Sequence, residues 1–210
     1  MIRGASKLRN YDVSASNIVY EYLEDVLYSK EVTSFIRNDD FKTQIKGVDV
    51  TFDRGGHHYI ADEKASVQWA NKRKLRTYSF ELSFLDKRNK VHDGWLISDD
   101  EINNSFVIVW CDRFKVDRLT SKDEIEEIEV AIVKRKAIVD HIVSLGWSKD
   151  ELIRKMEAIR NNPDNEYMGN INKYGCKFSY SKQLVEKPIN ILLPRPKILE
   201  LSDFNRIYRQ

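Results

Sequence analysis

Cysteine, proline and glycine are all sparse in this 210-residue chain, at two, four and eight residues. A secreted disulfide scaffold would usually carry more cysteines, so Cys111 and Cys176, far apart in sequence, read as reduced thiols. No stretch rich in Gly, Ser or Pro divides the chain and no internal repeat is evident, so a single domain over 1–210 is expected. No apolar run approaches the ~18 residues of a membrane span. The first ten residues carry Arg3, Lys7 and Arg9 without the apolar centre of a secretory signal. The expected location is the cytoplasm, with no membrane partner. Nor does one sign of charge dominate, since 35 Lys and Arg against 33 Asp and Glu leave +2. That balance is no global signature of a nucleic-acid binder, and any basic surface must be local. A Gly-rich phosphate loop, a Ser-His-Asp order and a nucleophilic cysteine context are absent too, so ATP use is unsupported.

What is present describes a folded globular protein, at 41% hydrophobic, 11% aromatic and 32% charged residues. From Ser14 to Lys30, Ile18, Val19, Tyr22, Leu23, Val26 and Leu27 recur at helical spacing and predict an amphipathic first helix. The β-branched and aromatic stretch Phe41 to Phe52 predicts a strand, and Asp53-Arg-Gly-Gly56 a turn. In the next strand, His57 to Ser66, alternation places Ile60, Asp62 and Lys64 on one face and Tyr59, Ala61 and Glu63 on the other. Further strands are expected at Tyr78 to Leu85 and Gly94 to Ser98, with a doubly covered central strand at Phe106 to Cys111. Ser121 with Glu124, and Ser148 with Glu151, fit capping boxes. They predict a charged helix to about Leu145, a stop at Gly146, and a second helix ending near Asn161 before Asn162-Pro163-Asp164. This helical hairpin, 121–161, precedes a strand-rich tail, 166–210, in which Phe178 to Tyr180 and Ile189 to Leu193 are the clearest pieces and Pro194 and Pro196 interrupt.

The chemistry concentrates between Asp49 and Lys64. A carboxylate on one strand, followed thirteen residues later by Asp-x-Lys on the next, brings three charged groups to one sheet edge. Two carboxylates suit Mg²⁺, which keeps several waters and accepts a phosphate oxygen of the substrate. Such an ion lowers the pKa of a bound water and offsets charge on the phosphorus. Lys64 is placed to orient that water or to stabilise the transition-state charge. The bland alternative is a surface ion pair between Asp62 and Lys64, set against the depletion of Asp and Lys from strands.

Gly47-Val48-Asp49-Val50 and Ile60-Ala61-Asp62-Glu63-Lys64-Ala65 resemble the PD-(D/E)XK nuclease superfamily, which includes restriction endonucleases, Holliday junction resolvases and repair exonucleases. Val48 stands where the family motif carries proline. The resemblance implies an α/β (α+β) fold with a restriction endonuclease-like core over about 14–112, a mixed central sheet flanked by helices. It implies metal binding by Asp49 and Asp62 and assistance to the attacking water by Lys64. It also implies a metal-ligating Glu on the first helix, for which Glu21 is the expected residue and Glu24 and Asp25 the competitors. A plain surface role is the other reading of Glu21.

Gln44 and Gln68 are expected as polar neighbours of a phosphate or a metal-bound water. Glu81, on the polar face of its strand, faces either the site or solvent. His57 and His58 are adjacent and point to opposite faces, which argues against zinc. For substrate, the segment 64–90 holds Lys64, Lys72, Arg73, Lys74, Arg76, Lys87, Arg88 and Lys90 against Glu81 and Asp86. Lys72, Arg73, Lys74 and Arg76, with Trp69 just before, are expected to contact phosphates flanking the scissile bond, or to form a solvated basic loop. Arg195, Lys197, Arg206 and Arg209 would extend that footprint. The leading expectation is a deoxyribonuclease dependent on Mg²⁺ or Mn²⁺. The alternatives are a non-catalytic DNA-binding or assembly module, and an interaction protein whose hairpin self-associates into a homodimer or docks on the core. Endo or exo cleavage, DNA or RNA, and sequence or structure specificity stay open.

Overall fold

The computed structural model describes residues 3–44, 46–162, 170–171 and 176–210, and its fold is mixed α+β. In chain order, helix α1 (Arg3–Leu23) runs through a π-helical turn (Glu24–Tyr28) into α2 (Ser29–Glu31). Strand β1 (Thr33–Arg37), helix α3 (Phe41–Gln44) and strands β2 (Val50–Arg54) and β3 (His57–Ala65) follow. Next come β4 (Thr77–Leu85), β5 (Val91–Asp93), β6 (Ser105–Phe114) and β7 (Ile125–Lys134). The chain continues with α4 (Arg135–Ser144), α5 (Lys149–Asn161), β8 (Asn170–Ile171), β9 (Cys176–Tyr180), β10 (Ile189–Pro194), α6 (Arg195–Leu201) and β11 (Phe204–Arg209). These elements sort into two compact units, Met1–Leu75 with Ile102–Lys134 and Ser202–Gln210, and Arg76–Glu101 with Arg135–Leu201.

The first unit is a six-stranded sheet in the order β1-β2-β3-β6-β7-β11, antiparallel except for the parallel pair β3·β6. The apolar spacing of α1 has its physical consequence here, because Val19, Tyr22, Leu23, Leu27 and Tyr28 are buried in the same core as Val50, Phe52, Tyr59, Ala61, Val107 and Val109. Phe52 stacks on Tyr59 at 5.0 Å and Tyr28 on Phe35 at 4.3 Å between ring centroids. All of β6 except Arg113 is buried, as expected of a central strand. The helix is longer than the periodicity suggests, and its last turns widen to π geometry, a local form found most often at functional sites.

Three expected elements are corrected. Phe41 to Phe52 is not one strand: Asp40 accepts from Thr43 N–H at 3.1 Å and caps the short α3, Gly47 takes φ +74°, and pairing with β3 begins only at Val50. The hairpin expected over 121–161 contracts. Ser121 and Glu124 do form a capping box, but on a single 3-10 turn, after which Ile125–Lys134 is strand β7, paired to β6 on one side and β11 on the other. Helix begins at Arg135, so the helical pair is α4 and α5, joined where Gly146 takes φ +88°. Gly94 to Ser98 is a turn following β5. A Cβ on Gly94 would stand 2.5 Å from the Glu81 carbonyl carbon and oxygen, so that approach requires glycine.

The second unit holds a five-stranded antiparallel sheet, β5-β4-β10-β9-β8, with α4, α5 and α6. Pro194 closes β10 and Pro196 sits in the first turn of α6, where its missing N–H costs nothing. Pro163 and Asp164 of the expected turn, and the tail residues 166–169 and 172–175, lie outside the described residues. Cys111 and Cys176 are free, buried thiols. Among the described residues no helix is long and apolar enough to cross a membrane.

Candidate active site

Strands β2 and β3 pair from Arg54↔His57 back to Val50↔Ala61, and there they part. Asp49 is the residue at the fork. Its N–H still donates to Ala61 C=O at 3.0 Å, while its Oδ2 accepts from Glu63 N–H at 2.8 Å in place of the next main-chain rung. The Asp49 carboxylate therefore lies along the edge of β3, close enough to the Asp62 carboxyl for its charge to act on it. Lys64 Nζ stands 2.8 Å from Asp62 Oδ1. The fold thus brings Asp49, Asp62 and Lys64 together at one edge of the sheet.

Asp62 is 3% exposed. Burial pushes its carboxyl up to about 8; the Lys64 ammonium opposes the rise and the Asp49 charge adds to it. Negative charge is concentrated here beyond what Lys64 neutralises, and a proton or a cation must offset the remainder.

On the helix side of β3, Asp49 also borders a cavity of roughly 390 Å³. Helix α1 and its π turn line it with Asn17, Tyr20, Glu21 and Glu24, spaced along one helical stripe. Gln44, Arg37 and Glu63 complete the wall. Glu24 Oε1 is held by Arg37 Nε at 2.5 Å, which leaves Glu21 as the α1 carboxylate turned to this space without that engagement. Asp25 pairs with Lys122 instead. The amide nitrogen of Gln44 donates to Asn38 C=O at 2.7 Å, which anchors the side chain at the rim.

Sequence reading did not single out Glu63, the residue between Asp62 and Lys64. Only 2% exposed, it accepts from Arg37 Nη1 at 2.6 Å and from the Tyr28 hydroxyl at 2.7 Å, and its C=O accepts from the Tyr20 hydroxyl at 2.9 Å. Burial raises the Glu63 carboxyl, and Arg37 and Tyr28 hold it back. The available signal was its face: an acidic residue on the same side as Tyr59 and Ala61 is buried and requires a cation.

Lys72, Arg73 and Lys74 follow the 3-10 turn after β3 but border a different cavity, of roughly 490 Å³, shared with Asp112, Arg113 and Glu127. Arg73 stacks over the Trp69 ring at 4.6 Å, and Lys72 Nζ donates to Gln68 C=O at 2.8 Å. Lys74 stands 3.3 Å from the buried Asp112. Gln68 is exposed, and Arg76, also exposed, belongs to the second unit. In the tail, Arg195 is buried, Lys197 pairs with Glu200, Arg206 with Glu31 and Arg209 with Glu127, so these cations are engaged within the fold. Glu81 is half-buried on β4 of the second unit. His57 and His58 are exposed, and His58 Nδ1 is 2.7 Å from Asp53.

Among the described residues no three His, Cys, Asp or Glu side chains are gathered closely enough to cage a metal by themselves. Of the two adjoining carboxylates only Asp49 lines the cavity, Asp62 and Lys64 being absent from its wall; one or two carboxylates suit Mg²⁺, which keeps its waters, and do not suit a closed zinc site. No family model, no curated protein and no solved structure matches this chain.

Proposed function

We propose that this chain is a Mg²⁺-dependent nuclease acting on DNA, built on a restriction endonuclease-like core. One observation carries the reading: at the fork of β2 and β3 the Asp49 carboxylate, held by the Glu63 N–H at 2.8 Å, is brought beside Asp62, with the Lys64 ammonium 2.8 Å from Asp62. Helix α1, strands β1 to β3 and the parallel partner β6 supply the helix-then-sheet order that such a core has.

Asp49 and Asp62 would hold the ion; Glu21 shares the helix-side cavity with Asp49 alone of the two, so it would reach the ion only from the Asp49 side. When bound, the ion supplies an acidified water and positive charge beside the scissile phosphate. Lys64, whose ammonium stands 2.8 Å from Asp62, would orient the attacking water and stabilise charge on the phosphate. Gln44 positions a non-bridging oxygen or a water at the cavity rim. Gln68, Lys72 and Arg73 would hold flanking phosphates without reading sequence, whereas the Lys74 charge is already committed to Asp112 and Glu127.

The direct test is cleavage of linear, circular, nicked and branched DNA by purified protein with Mg²⁺ or Mn²⁺. Wild type should cut at least one of these, and Asp62→Ala and Lys64→Ala should abolish it. If both variants cut as well as wild type, the assignment is wrong. The absence of a ready three-ligand cage among the described residues favours a second reading, a non-catalytic DNA-binding module, in which DNA binds with no metal requirement.

A further inference from the structure

The geometry points to Arg37 as a positioning residue that fixes the Glu21-bearing helix against the β2/β3 fork by bridging Glu24 and the buried Glu63. This inference rests on the nuclease reading of the same site and adds a residue that carries no role in it so far.

Arg37 ends edge strand β1 and reaches two elements at once. Its Nε donates to Glu24 Oε1 at 2.5 Å and its Nη1 to Glu63 Oε2 at 2.6 Å. Glu24 opens the π-helical turn and Tyr28 closes it, and the Tyr28 hydroxyl donates to the other Glu63 oxygen at 2.7 Å. The widened turn thus begins and ends on side chains of this one network. Glu63 in turn holds the site through its backbone. Its N–H donates to Asp49 Oδ2, and its C=O accepts from Tyr20, which lines the cavity one residue before Glu21. A shift of Glu63 moves Asp49, Asp62 and Lys64 together, because they are bonded to it or flank it.

The same geometry separates this role from substrate contact. Arg37 spends Nε and Nη1 on carboxylates inside the protein, and its third nitrogen, Nη2, is enclosed and has no hydrogen-bond partner among the described residues. A phosphate in the cavity would reach Nε or Nη1 only by breaking the bridge, and Nη2 is enclosed. Residues that orient metal ligands characteristically change metal affinity when removed, whereas phosphate contacts change substrate affinity and its salt dependence.

The experiment compares wild type, Arg37→Lys, Arg37→Met and the double variant Arg37→Met/Glu63→Met. Mg²⁺ affinity is read by calorimetry, folding by thermal melting, and kcat and KM by DNA cleavage at several salt concentrations. Arg37→Met should raise the Mg²⁺ Kd by about tenfold or more and lower kcat, with KM for DNA and its salt slope unchanged. Arg37→Lys should recover part of the affinity. Should Arg37→Met not fold, the double variant removes the stranded carboxylate, regains a cooperative melt and still binds Mg²⁺ weakly. Unchanged Mg²⁺ affinity in a folded variant overturns the inference, and so does a rise in KM with an altered salt slope. If wild type binds and cuts while Arg37→Met matches it, this inference alone fails. If wild type neither binds Mg²⁺ nor cuts DNA, the nuclease reading fails and takes this one with it.

Discussion

Asp49 Oδ2 accepts from Glu63 N–H at 2.8 Å, so one carboxylate both continues the β2/β3 ladder and faces Asp62. The two duties are separable. Asp49→Asn keeps an oxygen for the Glu63 amide and removes the charge, whereas Asp49→Ala removes both. Asp49→Asn should therefore unfold in urea close to wild type yet lose Mg²⁺ binding. Asp49→Ala should lose binding and also about 1.5–3 kcal/mol of stability, the usual worth of a hydrogen bond to a charged group. Equal stability of the two variants would show that the rung is not holding the fork.

The buried Asp62 carboxyl gives a pH dependence of definite sign. Its folded pKa, about 8, lies above the unfolded value near 3.8. Between those values the native state holds a proton that the unfolded state has released, so without metal the unfolding free energy should fall as pH rises from about 4 to 8. Asp62→Asn should flatten that fall. Saturating Mg²⁺ should also reduce it, because the cation replaces the proton, and calorimetry in buffers of different ionisation heat should detect proton release on binding. A pH-independent stability in wild type would contradict the raised Asp62 carboxyl.

Some of this is legible in the sequence and some is hidden by it. The period-2 alternation of β3 places Asp62 and Lys64 on one face whatever surrounds them, and the Gly55-Gly56 turn fixes the pairing that delivers Asp49 beside them. Strand β7 is obscured for a physical reason. Ile125, Ile128 and Ile132 fit a helical repeat, and Glu127 and Glu129 look like its solvated side. Both glutamates are in fact buried, and Glu127 is held by Arg209 at 2.7 Å with Arg113 and Lys74 nearby. Two-sided sheet pairing overrode local propensity. Arg37 is invisible for another reason: its partners lie thirteen and twenty-six residues away, and nothing in the intervening pattern marks them.

The Tyr28 hydroxyl provides a milder probe of the buried network than removal of a charge. Tyr28→Phe keeps the ring stacked on Phe35 and deletes only the bond to Glu63. The expected loss is about 1.5–3 kcal/mol in urea unfolding, since the acceptor is a buried carboxylate. An unchanged unfolding midpoint would mean that Arg37 alone satisfies Glu63.

The basic segment after β3 is not uniform, and its residues should respond differently. Lys74 is already neutralised by Asp112 at 3.3 Å and Glu127 at 3.7 Å, whereas Arg73 lies over Trp69 and the Lys72 ammonium donates to the Gln68 carbonyl. If these side chains hold DNA phosphates, Lys72→Ala and Arg73→Ala should weaken binding similarly for unrelated sequences. Each should also reduce the slope of log K against log salt by about 0.9, the contribution of one phosphate contact on duplex DNA. Lys74→Ala should change the slope less, because its charge is committed before DNA arrives, and should instead strand the buried Asp112 and lower the melting temperature. Fluorescence anisotropy at several salt concentrations, with melting curves on the same variants, separates the two behaviours. Slopes unchanged from wild type in all three variants would return the segment to an ordinary solvated loop.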